Sequence, residues 1–196
     1  MTKSTKQKIT KDVIKTFSER GYGCVSMRTI ATDLGISQSV IYHYFDSKDT
    51  MLNEIFETTR KSLGKKRKKL PNIKNTKKLL KQRVNFQFDN AQEVIFILKY
   101  YTQFRSNFKK NKQGYVPELA YEHIKEVLEH GVKSNEFKEV DIDMQAKIIT
   151  HAINGFILEY YPKIPSKKNR KKIVNEITEF IYRGIKKKGG VKNGKE

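Results

Sequence analysis

Cysteine is almost absent from this chain of 196 residues. The single Cys24 excludes an internal disulfide framework and any zinc finger built on several cysteines. Proline and glycine are few, at 4 and 11, too few for a collagen-like or low-complexity linker protein. No uncharged apolar run approaches the roughly 18–20 residues of a membrane span, so no stable membrane association is expected. Met1 to Ile14 mix lysines with apolar residues and lack the apolar segment of a secretory signal, which makes a cytoplasmic protein the expectation. Nothing has the pattern of a phosphate-binding glycine loop, a dinucleotide glycine motif, an HExxH helix, a nucleophile elbow or a paired-carboxylate site. No catalytic residue, cofactor or metal ligand is proposed, and an enzyme is not expected. His123, Glu126 and His130, at i, i+3 and i+7, come nearest to a metal corner, and a solvated helix face accounts for them.

Acid is also scarce. Asp and Glu total 21 against 41 Lys and Arg, for a net charge of +20. At 37% hydrophobic residues the chain has enough apolar material for one or two domains with a real core. An anionic partner follows from the charge: nucleic acid, a membrane surface or an acidic ligand. The charge is unevenly placed. Residues 1–50 carry +3, residues 60–83 carry 12 basic and no acidic side chains, residues 84–162 carry −2, and residues 163–196 carry +9. Of the basic residues 33 are Lys and 8 are Arg. Lysine is a hydrated point charge, poorer than arginine at reading planar targets, and its excess also fits a Lys-rich genome.

Almost every segment has helical periodicity. Ile9, Val13, Ile14 and Phe17 mark an amphipathic helix ending before Gly21, and Gly21-Tyr22-Gly23 forms a turn. Ser26 caps a short helix over Met27–Leu34, Gly35 breaks it, and Ser37 caps a second short helix to His43 or Tyr44. Ser47 caps a longer helix, 47–64, and Pro71 marks a boundary. Further helical patterns cover 74–88, 91–108, 117–134, 143–161 and 167–187, with Asn135 and Phe137 in a loop and Pro162 and Pro165 breaking the chain. No strand alternation of useful length occurs. The fold class is all-α. The tail 188–196, Lys and Gly with little to bury, is expected to be disordered.

The most specific feature is residues 27–46. Ala31, Gly35 and Ile41 have the spacing of a helix-turn-helix: a small residue where two helices meet, a glycine for a positive φ, and an apolar anchor on the second helix. Ile30, Leu34, Ile36 and Ile41 supply the core between the helices. The second helix is then free to enter a major groove. Gln38 suits adenine, Ser37 and Ser39 are short donors and acceptors, and Tyr42 and His43 can donate to phosphate. Arg28 is the candidate for guanine, with Thr29 beside it. Lys48, opening the next helix, suits a phosphate.

From Ile9 to Leu52, and above all in SMRTIATDLGISQSVIYHYFDSKDTML, the sequence resembles the N-terminal domain of TetR-family transcriptional regulators. The matching pieces are the Phe17–Gly21 helix end, Ile30-Ala31, Gly35-Ile36-Ser37, Ile41 to Phe45, and Ser47-Lys48-Asp49. The resemblance implies a homodimeric DNA-binding regulator, usually a repressor released from a pseudo-palindromic double-stranded operator by a small-molecule effector. It also implies Tyr42 and Lys48 as phosphate contacts. Residues 1–50 would form a three-helix helix-turn-helix domain completed by the start of the linking helix. Residues 51–187 would form a helical ligand-binding and dimerisation domain.

That second region is rich in aromatic residues, among them Phe108 and Tyr115. Most belong to a core, and some can line a pocket between helices. The candidate ligand residues are Phe86, Tyr100, Gln103, Phe104, Tyr121, Asn154 and Phe156. The segment is near neutral, which favours an apolar or amphipathic effector. The last two long helices are apolar over more than one face, as a four-helix dimer interface requires. Ile148, Ala152, Gly155, Ile173, Ile177, Phe180 and Ile181 are the candidates for it. Two other function classes fit the composition: a DNA-organising protein of the same fold without an effector, and a basic protein binding RNA or anionic membranes through its lysine blocks.

Overall fold

The structure, a computed structural model, describes residues 3–106 and 118–187. Phe108, Tyr115 and the tail 188–196 lie outside the described residues. The helices are α1 (Lys3–Arg20), α2 (Met27–Leu34), α3 (Gln38–Tyr44), α4 (Lys48–Lys68), α5 (Thr76–Asp89), α6 (Ala91–Gln103), α7 (Glu118–Lys133), α8 (Ile142–Tyr160) and α9 (Lys167–Ile185). A 3-10 turn at Tyr22–Cys24 joins α1 to α2. Among the described residues there is no strand, only an isolated bridge between Phe137 and Lys186. No helix of the described residues is long and apolar enough to cross a membrane.

Side chains set the helix boundaries. Ser26 Oγ accepts from the Thr29 N–H at 2.9 Å, and Ser47 Oγ accepts from the Thr50 N–H at 3.1 Å, satisfying donors that the first turn leaves open. Gly35 closes α2 at φ 63°, ψ 34°, a left-handed conformation that glycine adopts without the Cβ penalty. Ser37 stands at the N-cap of α3, but its hydroxyl bonds the Ser39 hydroxyl at 2.8 Å and caps no backbone N–H. Helix α4 extends past the expected residue 64 to Lys68. Nothing breaks it before Pro71, Lys and Arg are good helix formers, and cations suit a helix C-terminus.

The chain divides into two compact units: Met1–Leu70 with Phe88–Leu119 and Ile157–Ile164, and Pro71–Gln87 with Ala120–Phe156 and Pro165–Glu196. The core of the first holds an aromatic cluster among aliphatic residues such as Ile9, Val13, Ile30 and Ile55. Phe17 meets Phe96 edge-on with centroids 5.3 Å apart, and Phe56 stacks on Tyr100 at 4.3 Å. Lys6–Glu54 at 2.6 Å ties α1 to α4 at the surface, a pair exposed enough to contribute about 1 kcal/mol or less.

The second unit is built on aliphatic residues: Leu80, Val84, Ile124, Leu128, Ile153 and Val174 are all buried. Phe137 sits in a connecting segment, as its surroundings in the sequence suggest, yet it is 2% exposed. Its ring lies against Gly131, where a Cβ would come within 2.1 Å of it. The preceding Asn135 takes φ 58°, turning the chain back after α7 so that Phe137 reaches the core.

Candidate nucleic-acid interface

Helices α2 and α3 meet through Ile30, Ala31 and Ile41, which are 0%, 5% and 0% exposed. Val25, Phe45, Met51 and Leu52 close the same core, while Leu34 and Ile36 are half-buried at its edge. Each fully buried aliphatic side chain stabilises the hairpin by about 1.5–3 kcal/mol, far more than a short isolated helix has of its own. The result is a rigid platform. On it Gln38, Ser39, Tyr42 and His43, at four-residue spacing on α3, face solvent together. Tyr42 is 50% exposed, unusual for so large a ring. Arg28 and Ser37 are exposed as well. Thr29 is half-buried, with its hydroxyl 2.8 Å from the Ser26 hydroxyl and its N–H held by the same cap.

Lys48 is more confined than its sequence position suggests. Its Nζ donates to the Tyr22 carbonyl at 2.6 Å and stands 3.4 Å from the Tyr22 ring centroid. Burial holds its ammonium below the ordinary lysine pKa, against an opposing pull from Asp49. The Tyr22 hydroxyl donates to Asp49 Oδ1 at 2.8 Å, and this bond raises the phenol's pKa. Tyr22 also meets Phe104, just past α6, edge-on at 5.5 Å. One ring therefore touches the start of α4 and the end of α6. In the sequence Tyr22 reads only as part of a turn, and the one available signal is an aromatic residue between two glycines.

The ligand candidates fall in both units. In the first, Tyr100 is 5% exposed, donates to Asn53 Oδ1 at 3.2 Å and lies 4.6 Å from Phe104. Burial pushes its phenol up to about 12. Gln103 lines an open cleft of about 500 Å³ with Phe17, Arg20, Tyr22, Leu98 and Lys99. In the second unit, Phe86 meets His123 edge-on at 5.6 Å, and the Tyr121 hydroxyl bonds the Asp143 carboxylate at the surface. Asn154 is 4% exposed, and its Oδ1 has no hydrogen-bond partner among the described residues. Thr150, one turn earlier on α8, is 3% exposed with Oγ1 likewise without one. Phe156 faces outward at 45% exposure.

The interface candidates divide by depth. Ile148 and Phe180 are 53% and 83% exposed, Ala152 and Gly155 on α8 are exposed as well, and Ile173 is half-buried. Ile177 and Ile181 are already buried within the chain, beneath the outward face of α9.

A buried two-helix hinge carrying an exposed, polar second helix has the geometry of a helix-turn-helix. The comparisons agree. A sequence model of the bacterial regulatory proteins of the TetR family matches residues 10–55. The HTH-type transcriptional repressor KstR2 of Rhodococcus jostii is 30% identical over 136 residues, which cover 66% of this chain and 65% of that repressor. Two solved structures share the fold. KstR2 of Mycobacterium tuberculosis, a ketosteroid transcriptional regulator, superposes with a TM-score of 0.74 at 18% identity over 96% of this chain and 98% of that one. A protein of Saccharomonospora viridis assigned as a transcriptional regulator, in complex with choline, gives 0.74 at 20% identity over 95% and 100%. The chain is thus similar to TetR-family transcriptional regulators, through the family model over residues 10–55 and through a repressor of which it spans just under two thirds.

Proposed function

We propose that the protein is a homodimeric transcriptional repressor that binds a pseudo-palindromic operator and leaves it when a small apolar or amphipathic ligand binds. The observation that carries the DNA reading is the exposed polar face of α3 on its buried hinge. In this reading Gln38 and Arg28 contact base edges, Ser37, Ser39 and Thr29 assist, and Tyr42, His43 and Lys48 meet phosphates. Residues 1–50 form the reading domain, and residues 51–187 form the sensing and pairing domain of a cytoplasmic protein.

Pairing is supported by the outward apolar side chains of α8 and α9. A symmetric interface would cover Ile148 and Phe180, and the open space around Gly155 admits a close helix approach. Two copies then hold two reading helices about 34–36 Å apart, one turn of B-DNA. A ligand that fits a splayed pair better lowers operator affinity by its differential affinity for the two arrangements.

Ligand sensing is supported by Thr150 and Asn154. Two buried polar atoms without partners cost about 1–3 kcal/mol each, and a ligand with a hydrogen-bond donor near Asn154 relieves that cost. The other proposed ligand residues are taken unit by unit: Phe86, Tyr121 and Phe156 in the second, and Tyr100, Gln103 and Phe104 in the first. The choline held by the Saccharomonospora viridis relative is in keeping with a small effector. The direct test is titration of the purified protein onto its own promoter region at moderate salt. Binding no tighter than to a scrambled duplex would remove the proposal's basis.

A further inference from the structure

The charge of residues 60–69 is not absorbed by the reading head. Helix α4 begins at Lys48, beside the reading helix, and rises about 1.5 Å per residue. Lys61 therefore lies about 20 Å along the axis from Lys48, and Lys68 about 30 Å. Both distances exceed the Debye length of about 8–10 Å at physiological salt, so these lysines add little through space to a phosphate contact at Lys48.

Six of the seven basic side chains here fall into two groups, and the seventh, Arg67, is half-buried. Arg60 pairs with Glu57 at 2.9 Å, and Lys66 donates to Asn90 Oδ1 at 2.8 Å and Glu93 Oε1 at 3.0 Å. Lys61, Lys65, Lys68 and Lys69 are exposed, and none makes an ion pair or side-chain hydrogen bond among the described residues. Lys61, Lys65 and Lys68 recur at four and three residues, so they share one face of α4. Cations at a helix C-terminus also favour the helix macrodipole, but that role is confined to the last turn and leaves Lys61 unexplained.

We infer that Lys61, Lys65, Lys68 and Lys69 form a second, sequence-independent contact for the phosphate backbone of DNA, separate from the reading helix. The inference rests on the proposed DNA binding. Duplex DNA is favoured as the polyanion because a protein docked on an operator meets it at high local concentration. The backbone is either flanking DNA of the same duplex or a second duplex.

The test compares the intact chain, K61Q/K65Q/K68Q/K69Q, and the matching four-arginine variant, which keeps the charge. Each is titrated at several salt concentrations onto a core operator and onto one with flanks of about 10 base pairs, roughly one helical turn. A bead-bound operator is also offered a labelled non-operator duplex. Each lost phosphate contact lowers the log–log salt slope by about 0.9, so the glutamine variant should lose up to about 3–4 per subunit, while the arginine variant should not. Loss confined to flanked operator supports contact on the same duplex, and loss of the retained labelled duplex supports a second one. Unchanged slopes and unchanged retention in a glutamine variant that still binds core operator would overturn this inference alone. The same variants are also titrated onto anionic phosphatidylglycerol vesicles, and a loss confined to the vesicles would likewise overturn it. Equal affinity of the intact chain for core operator and scrambled DNA would instead overturn the DNA reading beneath it.

Discussion

Two stretches of this chain are suited to DNA, and they differ in almost every physical respect. Residues 27–48 hold Arg28, Asp33, Asp46 and Lys48 and carry no net charge, yet their core is fully buried. Residues 60–69 hold seven basic and no acidic side chains, and four of the lysines are exposed without partners. Reading a base edge needs side chains held in one place, which comes from packing. Attraction to a polyanion needs only charge, which comes from composition. A net charge of +20 therefore says little about where sequence is read.

The largest expected effect breaks the packed stretch. Ile41→Ala removes a fully buried anchor and should cost about 2–5 kcal/mol of stability, measured by urea unfolding, with operator binding lost as the hairpin loosens. Gln38→Ala leaves the platform intact. It should weaken operator binding by about 1–3 kcal/mol and flatten preference at one base pair, read by titrating base-substituted operators. Tyr22→Leu removes the ring and hydroxyl that hold Lys48 and Asp49. It should weaken binding to every sequence alike by about 0.5–2 kcal/mol, and Tyr22→Phe by less because the ring remains. On the charged stretch, Lys65→Gln alone should change stability by no more than about 0.5 kcal/mol, measured by thermal unfolding, since it breaks no contact.

A charge within a packed setting gives a further contrast. Glu136 accepts from the Tyr182 hydroxyl at 2.6 Å. Burial pushes its pKa up, but bonds from Thr76 and Tyr182 and the nearby His130 more than offset this and hold it below the ordinary glutamate value. A depressed carboxylate contributes stability above its unfolded pKa and loses it as pH falls through the folded one. Acid should therefore destabilise the chain below about pH 4.5, and Glu136→Gln should flatten that acid limb in unfolding curves recorded against pH.

The helix-turn-helix was legible because its constraints are local. Ala31, Gly35 and Ile41 stand within eleven residues, and the left-handed φ at Gly35 is a demand the sequence displays openly. Tyr22 was not legible, because its partners Lys48 and Phe104 are distant in sequence and no periodicity links them. Phe137 reads as a loop residue and sits in one, but its burial depends on the turn at Asn135 and the bare face of Gly131. On α9, periodicity marks Ile177, Phe180 and Ile181 alike. Only the fold separates the buried isoleucines from a phenylalanine left 83% exposed.

The most direct measurement is selection from a random-sequence duplex pool by the intact chain at about 0.15 M salt, where surface charge is screened beyond about 8 Å. An inverted repeat should be enriched, with half-sites about one helical turn or a multiple apart, and Gln38→Ala should alter the base preference within each half. Enrichment of no sequence, or a preference that Gln38→Ala and Arg28→Ala leave untouched, would contradict the claim that residues 27–48 read DNA.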